Sequence, residues 1–187
     1  PAILRPGRLD VKIKIERLTE LAAKEIFARY LTSSLPIAED ELKKFDNDRE
    51  KTIEKMVAEA SSVMYEESDE TQFLEVTYQN GEKEVLHFKD FSSGAMIENV
   101  VRRAKKLAVK RTIADGPKGI CTQDLIDSIH QEFREQEDLP NTTNPDDWAK
   151  ISGKKGERII YIRTLIKKGD ETAGGKEVER VATGQYL

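Results

Sequence analysis

The stretch PAILRPGRLD, residues 1–10, precedes the alternating run VKIKI at residues 11–15. Arg5 and Arg8 flank Pro6 and Gly7, whose restricted and permissive backbones favour a tight turn that presents both guanidinium groups on one side. The alternating run then predicts a strand. A guanidinium stays charged at any working pH and donates to phosphate oxygens in pairs, so the turn is a candidate phosphate contact. A surface loop with two solvated arginines is the alternative interpretation of these residues.

Composition and charge limit the classes of function. Charged residues make up 35% of the 187 residues and apolar residues 37%, which predicts a small core with wide polar margins. The net charge of −4 argues against general attraction to nucleic acid or anionic lipid, and no apolar run approaches the roughly 20 residues of a membrane span. Cys121 is the single cysteine, which excludes an internal disulfide and fits a reducing cytosol. Because the chain opens in mid-motif without Met, we expect it to be part of a longer protein.

Hydrophobic periodicity predicts most of the chain to be helical. Apolar residues at helical spacing predict long helices over residues 16–32, 48–66, 94–113 and 122–137, with short helices over 39–45 and from Asn144 to Trp148. Ser92 and Ser93 precede the third long helix, and Thr122 is a candidate cap for the fourth. The sequence therefore predicts a helical domain.

A β-hairpin interrupts this helical pattern. Alternating runs at residues 73–78 and 83–88 flank Gln79-Asn80-Gly81-Glu82, and Asn-Gly predicts a type I′ turn with positive φ at both central residues. Residues 158–166 predict a further strand without an evident partner, for which the hairpin edge is one place. His87 and His130 have no second ligand at metal spacing, so we expect no metal site.

Basic residues crowd one face of the third long helix. They are Arg102, Arg103, Lys105, Lys106, Lys110 and Arg111. Such a face could bind phosphate backbones, which leaves open a non-enzymatic adaptor that binds nucleic acid or a partner through residues 102–111. No aromatic residue interleaves the cations, so we favour a solvated or intersubunit face and expect no nucleic-acid partner.

The last part of the chain changes composition. Residues 167–183 are rich in Lys, Gly, Glu and Thr without an apolar period, which predicts a disordered tether. The tether leads to Gly184, Gln185, Tyr186 and Leu187. A terminal carboxylate beside an aromatic ring suits capture by a peptide-binding pocket, although a frayed terminus is the simpler interpretation.

Two segments resemble parts of AAA ATPases. Residues 1–10 resemble the end of the second region of homology, with Leu9 in place of Phe. By this resemblance Arg5 and Arg8 correspond to arginine fingers that reach into the ATP site of the next protomer. The segment Ser93–Ile97 resembles the sensor-2 segment, in which Gly94 and Ala95 let the backbone close over the adenine and ribose side of the nucleotide.

Three further sequence segments are more specific to one family than the two segments above. Residues 141–148, residues 151–158 and the final Gly-Gln-Tyr-Leu resemble the C-terminal part of the actinobacterial proteasome-associated AAA ATPases. This resemblance implies a cytoplasmic homohexamer that unfolds substrates tagged with the prokaryotic ubiquitin-like protein and threads them into the proteasome core. Gln185, Tyr186 and Leu187 would dock on the core, although Gln185 stands where the general motif has a hydrophobic residue. An AAA unfoldase or remodelling ATPase without a proteasome remains the alternative.

The same resemblance implies the domain organisation. We expect a mainly α fold with a small β component: the end of an AAA large α/β subdomain at 1–16, a helical lid at 17–140 with the hairpin at 73–88, an extension at 141–166 and a disordered tail at 167–187. ATP with Mg²⁺ would be bound mainly by the part upstream of Pro1. Gly169–Lys176 imitates a phosphate-binding loop but is one residue out of register, so we expect the chain alone to be inactive.

Overall fold

A computed structural model describes residues 17–135 and 159–165. Three predicted regions lie outside the described residues: the arginine turn and strand at 1–15, the short helix at Asn144–Trp148 and the tail at 167–187. The predicted subdomain boundaries therefore stay predictions.

The described residues form six helices and three strands, so the prediction of a mainly helical fold with a small β component is confirmed. The helices are α1 (Glu20–Tyr30), α2 (Glu39–Lys43), α3 (Arg49–Tyr65), α4 (Phe88–Phe91), α5 (Gly94–Ile113) and α6 (Thr122–Glu135), and the strands are β1 (Gln72–Tyr78), β2 (Lys83–His87) and β3 (Ile159–Thr164). The helix α1 begins later than the predicted residue 16 because the Thr19 side chain caps it, accepting from the Ala22 amide.

The strands form one antiparallel sheet in the order β2-β1-β3. Val76 of β1 lies opposite both Glu84 of β2 and Ile162 of β3. The Leu165 amide extends the second ladder by donating to the Phe73 carbonyl at 3.0 Å. The predicted strand at 158–166 thus pairs with the first strand of the hairpin, which becomes the centre of the sheet.

The hairpin turn differs from the prediction. Among its loop residues only Gly81 has a positive φ, at 87°, so the predicted type I′ turn is wrong. The Gly81 amide donates to the Tyr78 carbonyl at 3.0 Å, and the Tyr78 amide donates to the Glu82 carbonyl at 2.9 Å. These bonds close a three-residue loop with a glycine bulge, which needs left-handed backbone at one position instead of two.

Aromatic rings join the sheet to the helices. Phe88 stacks on Phe133 of α6 with ring centroids 3.9 Å apart, and Phe73 of β1 meets Phe133 edge-on at 5.6 Å. Phe91 also meets Phe73 edge-on, with ring centroids 4.9 Å apart. A two-stranded hairpin is marginal by itself, so this cluster supplies the apolar face that holds the sheet on the helical core.

The loop between α5 and α6 packs against the segment that follows α1. The Ile120 amide donates to the Pro36 carbonyl at 2.8 Å, and the Ala38 amide donates to the Ile120 carbonyl at 2.9 Å. Gly119 makes this approach possible because it has φ +94° and a Cβ there would lie 2.4 Å from the Ile37 carbonyl carbon. The two segments are in backbone contact only because Gly119 lacks a side chain.

Arg111 fixes the same loop from the end of α5. Its guanidinium donates to both carboxylate oxygens of Asp124 and to the carbonyls of Gly119 and Pro117, at 2.6 and 3.1 Å for the two carbonyls. Burial alone would raise the pKa of Asp124, but hydrogen bonds from Arg111 and the Cys121 amide outweigh it, so the pKa lies below its usual range. The start of α6 is thereby tied to the end of α5.

Alanine substitutions at two glycines test the close approach. We expect Gly119→Ala to lower the free energy of unfolding by about 3 kcal/mol, because the methyl group strains the left-handed backbone and meets the main chain of Ile37. Gly81→Ala is the matched control: it has φ +87° but open space around a Cβ, so we expect a loss of about 1 kcal/mol. Urea unfolding of the 187-residue chain measures both, and equal losses would contradict the packing argument.

Replacing Arg111 tests the buried ion pair. Arg111→Met leaves the Asp124 side chain, 5% exposed, without its cation, so we expect a loss of about 3 kcal/mol at pH 7. Since the folded pKa of Asp124 is lowered, the contribution of this pair is present above the unfolded pKa of about 3.9 and disappears as the pH falls through the folded pKa. The difference from wild type should therefore shrink between pH 7 and pH 3.

Arg102→Met is the control for that experiment. Arg102 pairs with Glu98 one turn away on the surface of α5, with side chains 60% and 41% exposed, so its removal should cost about 0.5 kcal/mol or less. A loss of the same size for both arginines, or one that does not change with pH, would show that the Asp124 pair is not buried as described.

Candidate functional site

The first turn of α5 is a capped helix N-terminus in which two backbone amides have no hydrogen bond to the described residues. The Ser93 side chain accepts from the Met96 amide at 3.3 Å, as the two preceding serines suggest. Within the described residues, the amides of Gly94 and Ala95 have no hydrogen-bond acceptor, which is usual for the first positions of a helix. Such amides carry partial positive charge and favour a polar or anionic ligand.

The side chains at this helix start leave room for close approach. Ala95 is exposed and Gly94 is partly buried. A Cβ at Gly94 would lie 3.5 Å from Ile26 Cδ1, an ordinary contact, so the packing of α1 on α5 does not itself require glycine. The open side of residues 94 and 95 is therefore the place where a ligand could come near the backbone.

The helix α1 supports the head of α5 through polar contacts. The Tyr30 hydroxyl donates to Glu98 at 3.1 Å, and Glu98 also accepts from Arg102. The hydrogen bond to Glu98, with burial as a smaller cause, raises the pKa of Tyr30, so the hydroxyl remains a donor at neutral pH. One turn of α5 thus holds the end of α1.

The segment that leads into α1 is fixed beside the same region. Arg17 forms an ion pair with Asp90 of α4 at 2.8 Å. The Tyr65 hydroxyl of α3 donates to the Leu18 carbonyl at 2.9 Å, and burial raises the pKa of Tyr65 to about 12. Residues 17 and 18 are therefore held by two helices before α1 begins.

Half of the cations on the basic face of α5 form ion pairs with carboxylates of the described residues. Arg103 pairs with Glu132 and Glu135 of α6, at 3.2 and 2.6 Å. Arg102 pairs with Glu98, and Arg111 pairs with Asp124. Three of the six cations therefore have carboxylate partners, which disfavours a phosphate-binding stripe along residues 102–111.

The structure describes part of the predicted site. Gly94 and Ala95 lie together at the head of α5, whereas Arg5, Arg8, Gln185, Tyr186 and Leu187 lie outside the described residues, so their assignments stay predictions. Sequence analysis missed the Arg17–Asp90 and Tyr30–Glu98 contacts. These partners are 73 and 68 residues apart, a separation at which spacing gives no signal.

Residues 17–135 and 159–165 contain neither a metal-binding cluster nor a membrane-spanning helix. No group of His, Cys, Asp and Glu side chains there is arranged to hold a metal ion. Among the helices of residues 17–135, none is long and apolar enough to cross a membrane.

Comparisons with known proteins cover nearly the whole chain. The sequence model described as "ARC, AAA+ ATPase lid domain" matches residues 19–186. A protein of Acidimicrobium ferrooxidans named proteasome-associated ATPase is 66% identical over 188 residues, which covers 100% of this chain and 32% of that protein. Proteins of the same name from Frankia alni and Acidothermus cellulolyticus are 60% and 58% identical over 100% of this chain and 31% and 32% of their own lengths.

The chain spans about a third of the length of these relatives. The resemblance stated from the sequence strings is confirmed by matches that continue through residues the structure does not describe. The helical fold with a small antiparallel sheet is consistent with them. The chain therefore belongs to the ARC AAA+ ATPase lid family.

Proposed function

We propose that this chain is the lid-bearing part of an ATP-driven ring unfoldase that feeds tagged proteins into a bacterial proteasome. The observation that carries the proposal is the head of α5, where a capped helix leaves the Gly94 and Ala95 amides without an acceptor among the described residues, at positions that resemble the sensor-2 segment. Relatives that are 58% to 66% identical carry the name proteasome-associated ATPase, which supports the partner.

The nucleotide would be ATP with Mg²⁺. Gly94 and Ala95 would approach its adenine and ribose side, because their side chains are small and their amides have no acceptor among the described residues. The phosphates and the metal would be held mainly by regions that precede the lid in the parent protein. The 187 residues contain no phosphate-binding loop of the G-x-x-x-x-G-K-[ST] form, so the chain alone would not hydrolyse ATP.

Arg5 and Arg8 would act in the ATP site of the neighbouring protomer of a homohexamer. Guanidinium groups stabilise the charge that develops on the transferring phosphoryl group. When that phosphoryl group leaves, their contact is lost and the equilibrium between ring conformations changes. Arg17 and Leu18 are held by Asp90 and Tyr65, so a displacement transmitted along the chain from the arginine turn would reach the lid at these two residues.

The opposite end of the chain would supply the proteasome contact. Gln185, Tyr186 and Leu187 would dock on the core particle in the cytoplasm, while substrates tagged with the prokaryotic ubiquitin-like protein would bind regions upstream of this chain. A free carboxylate next to apolar and aromatic side chains is a form of peptide end that proteins recognise. Gln185 would make this docking weaker than that of a tail with a hydrophobic residue there.

Ala95→Leu in the parent protein tests the nucleotide contact. A bulky side chain at this exposed position should hold the ligand off the helix and raise the Kd for ATP about tenfold, which corresponds to about 1.4 kcal/mol. Ala28→Leu makes the same substitution at an exposed position of α1 and should leave the Kd unchanged. Titration with a fluorescent ATP analogue measures both, and equal Kd values for the two variants would refute the assignment of residues 94 and 95.

Arg5→Ala in the parent protein tests the proposed role of Arg5 as an arginine finger. Loss of a trans-acting arginine should lower kcat for ATP hydrolysis by about 10³-fold or more while the Kd for ATP stays near wild type. Arg29→Ala, at an exposed position of α1, is the control and should retain wild-type turnover. Steady-state hydrolysis and nucleotide titration separate the two effects; normal turnover by Arg5→Ala would remove the proposed role.

A further inference from the structure

An apolar groove, called here the α5 groove, lies at the C-terminal end of α5. It has a volume of about 440 Å³, and its walls include Leu35, Pro36, Val109 and Ile113. The side chains of Val109 and Ile113 are 58% and 77% exposed. Large apolar side chains that are grouped and exposed on a highly charged domain indicate a contact surface. The shape of the groove is suited to an inserted side chain of a partner.

The rim of the α5 groove is positively charged. Residues 105–118 contain five cations and one acid, Asp115. Two of these cations, Lys105 and Lys118, line the groove, and neither forms an ion pair with any of the described residues. Lys105 makes one long hydrogen bond, 3.4 Å, to the Tyr30 carbonyl. The groove therefore fits a partner that inserts an apolar side chain and places a carboxylate beside it.

The beginning of α1 carries that combination. Leu21 and Val85 are the exposed large apolar residues outside the groove in the described part of the chain, and Leu21 is the more exposed, at 70%. Glu25 is exposed one turn after Leu21 on the same helix face, and it has no ion pair among the described residues. The nearby Glu20 is instead paired with Lys24 at 2.7 Å. Leu21 and Glu25 are called here the α1 patch.

The α1 patch and the α5 groove match in spacing. On α1 the carboxylate lies four residues after the apolar side chain, and on α5 Lys105 lies four residues before Val109. Because residues four apart share one helix face, an α1 helix laid antiparallel on α5 would bring Leu21 to Val109 and Glu25 to Lys105. We propose that the α1 patch of one copy of this chain docks in the α5 groove of a second copy.

The two surfaces lie apart on one chain. The Tyr30 carbonyl, which accepts from Lys105 of the groove, is nine residues from Leu21 on α1, or about 14 Å along the helix. Each copy can therefore use both surfaces at once, one toward each neighbour. A head-to-tail contact of this kind generates a ring when its rotation closes. The inference rests on the proposed function in assigning the contact to neighbouring lids of the homohexamer.

The contact is expected to be weak in isolation. One helix face in one groove is a small interface, so we expect a Kd on the order of 0.1 mM between separate chains. Subunits of a ring are also joined elsewhere, so the same contact acts there at an effective concentration on the order of 1 mM. A weak contact is thus sufficient to keep about nine neighbouring lids in ten docked.

Self-association of the 187-residue chain tests the contact. Sedimentation should show a mass that rises with concentration between about 0.01 and 1 mM and passes beyond a dimer, because each end accepts a further copy. Leu21→Lys and Ile113→Glu should each weaken association about tenfold or more, since each puts a charge into an apolar contact and beside a like charge. Val85→Lys makes a comparable change outside both surfaces and should associate as wild type does.

Mixing two variants tests the pairing of patch with groove. The Leu21→Lys chain keeps an intact α5 groove, and the Ile113→Glu chain keeps an intact α1 patch. An equimolar mixture should therefore form a 1:1 pair with about the wild-type Kd, although neither variant associates alone. No association up to about 1 mM, an arrest at the dimer, a mixture that does not pair, or equal effects of Val85→Lys and Leu21→Lys would overturn the proposal.

A charge exchange tests the antiparallel orientation. Glu25→Lys and Lys105→Glu should each weaken association about three- to tenfold, because each brings like charges together across the contact. The double variant regains an opposite pair at every junction, so its Kd should return to within about twofold of wild type. A double variant as weak as the two single variants would overturn the proposed docking.

Cross-linking in the parent protein separates this inference from the proposed function. In a background without other cysteines, Leu21→Cys with Ile113→Cys should give a ladder of subunits joined by a short bismaleimide, and Val85→Cys with Ile113→Cys should not. Cross-links within one subunit, or none, would refute the lid contact even if Arg5→Ala is inactive in ATP hydrolysis. Normal hydrolysis by Arg5→Ala, together with the ladder, would refute the arginine finger and leave the lid contact supported.

Discussion

Arg111 donates hydrogen bonds to Asp124 and to the loop between α5 and α6. The packing of α5 against α6 depends on this constraint. The guanidinium is shared between a buried carboxylate and two backbone carbonyls, so it fixes the start of α6 against the end of α5. At the other end of the same helix pair, Arg103 pairs with Glu132 and Glu135. The ion pairs of Arg103 and Arg111 therefore join α5 to α6 at two places eight residues apart, in an antiparallel arrangement. Apolar core residues fill the space between these two places.

The helix α5 is about 30 Å long and has a different surface at each end. Its first turn presents open amides next to α1, and its last turns form one wall of the groove beside Leu35 and Pro36. The segment before α1 is attached to α4 and α3, and the segment after α1 is in backbone contact with the α5–α6 loop. The segments on both sides of α1 are therefore attached to neighbouring elements of the fold.

The helices were predictable because their signals are local. The apolar period of α5 and the serine before it predict a helix from Gly94 to Ile113, and the structure has those bounds. The turn at Gly81 was predicted wrongly because Asn-Gly also suits a three-residue loop, and strand register decides between the two loops. The four-residue helix at Phe88–Phe91 is too short to show an apolar period, so it could not be predicted from the residue pattern.

Contacts between residues that are far apart in the sequence could not be predicted from local residue patterns. No pattern relates Phe73 to Leu165 or Tyr30 to Glu98, since these pairs meet only after the chain has packed. Gly94 and Ala95 were found through a family resemblance, and the structure adds that their surroundings do not themselves demand small residues. The roles of Arg5, Arg8 and Gln185–Leu187 depend on partners outside this chain and stay predictions.

Two of the four large apolar residues that are exposed among the described residues lie near the C-terminal end of α5. On α5, Ala104 and Ala108 are buried whereas Val109 and Ile113 protrude, although periodicity alone cannot separate the inner edge of an apolar stripe from its outer edge. Large apolar side chains grouped on a small, highly charged domain indicate a surface that is covered in the working assembly. Gly119 and Ile120 line the groove, and their loop is held by hydrogen bonds from Arg111 and to Pro36. A wall that is already held in place would lose little binding free energy to ordering when a ligand binds.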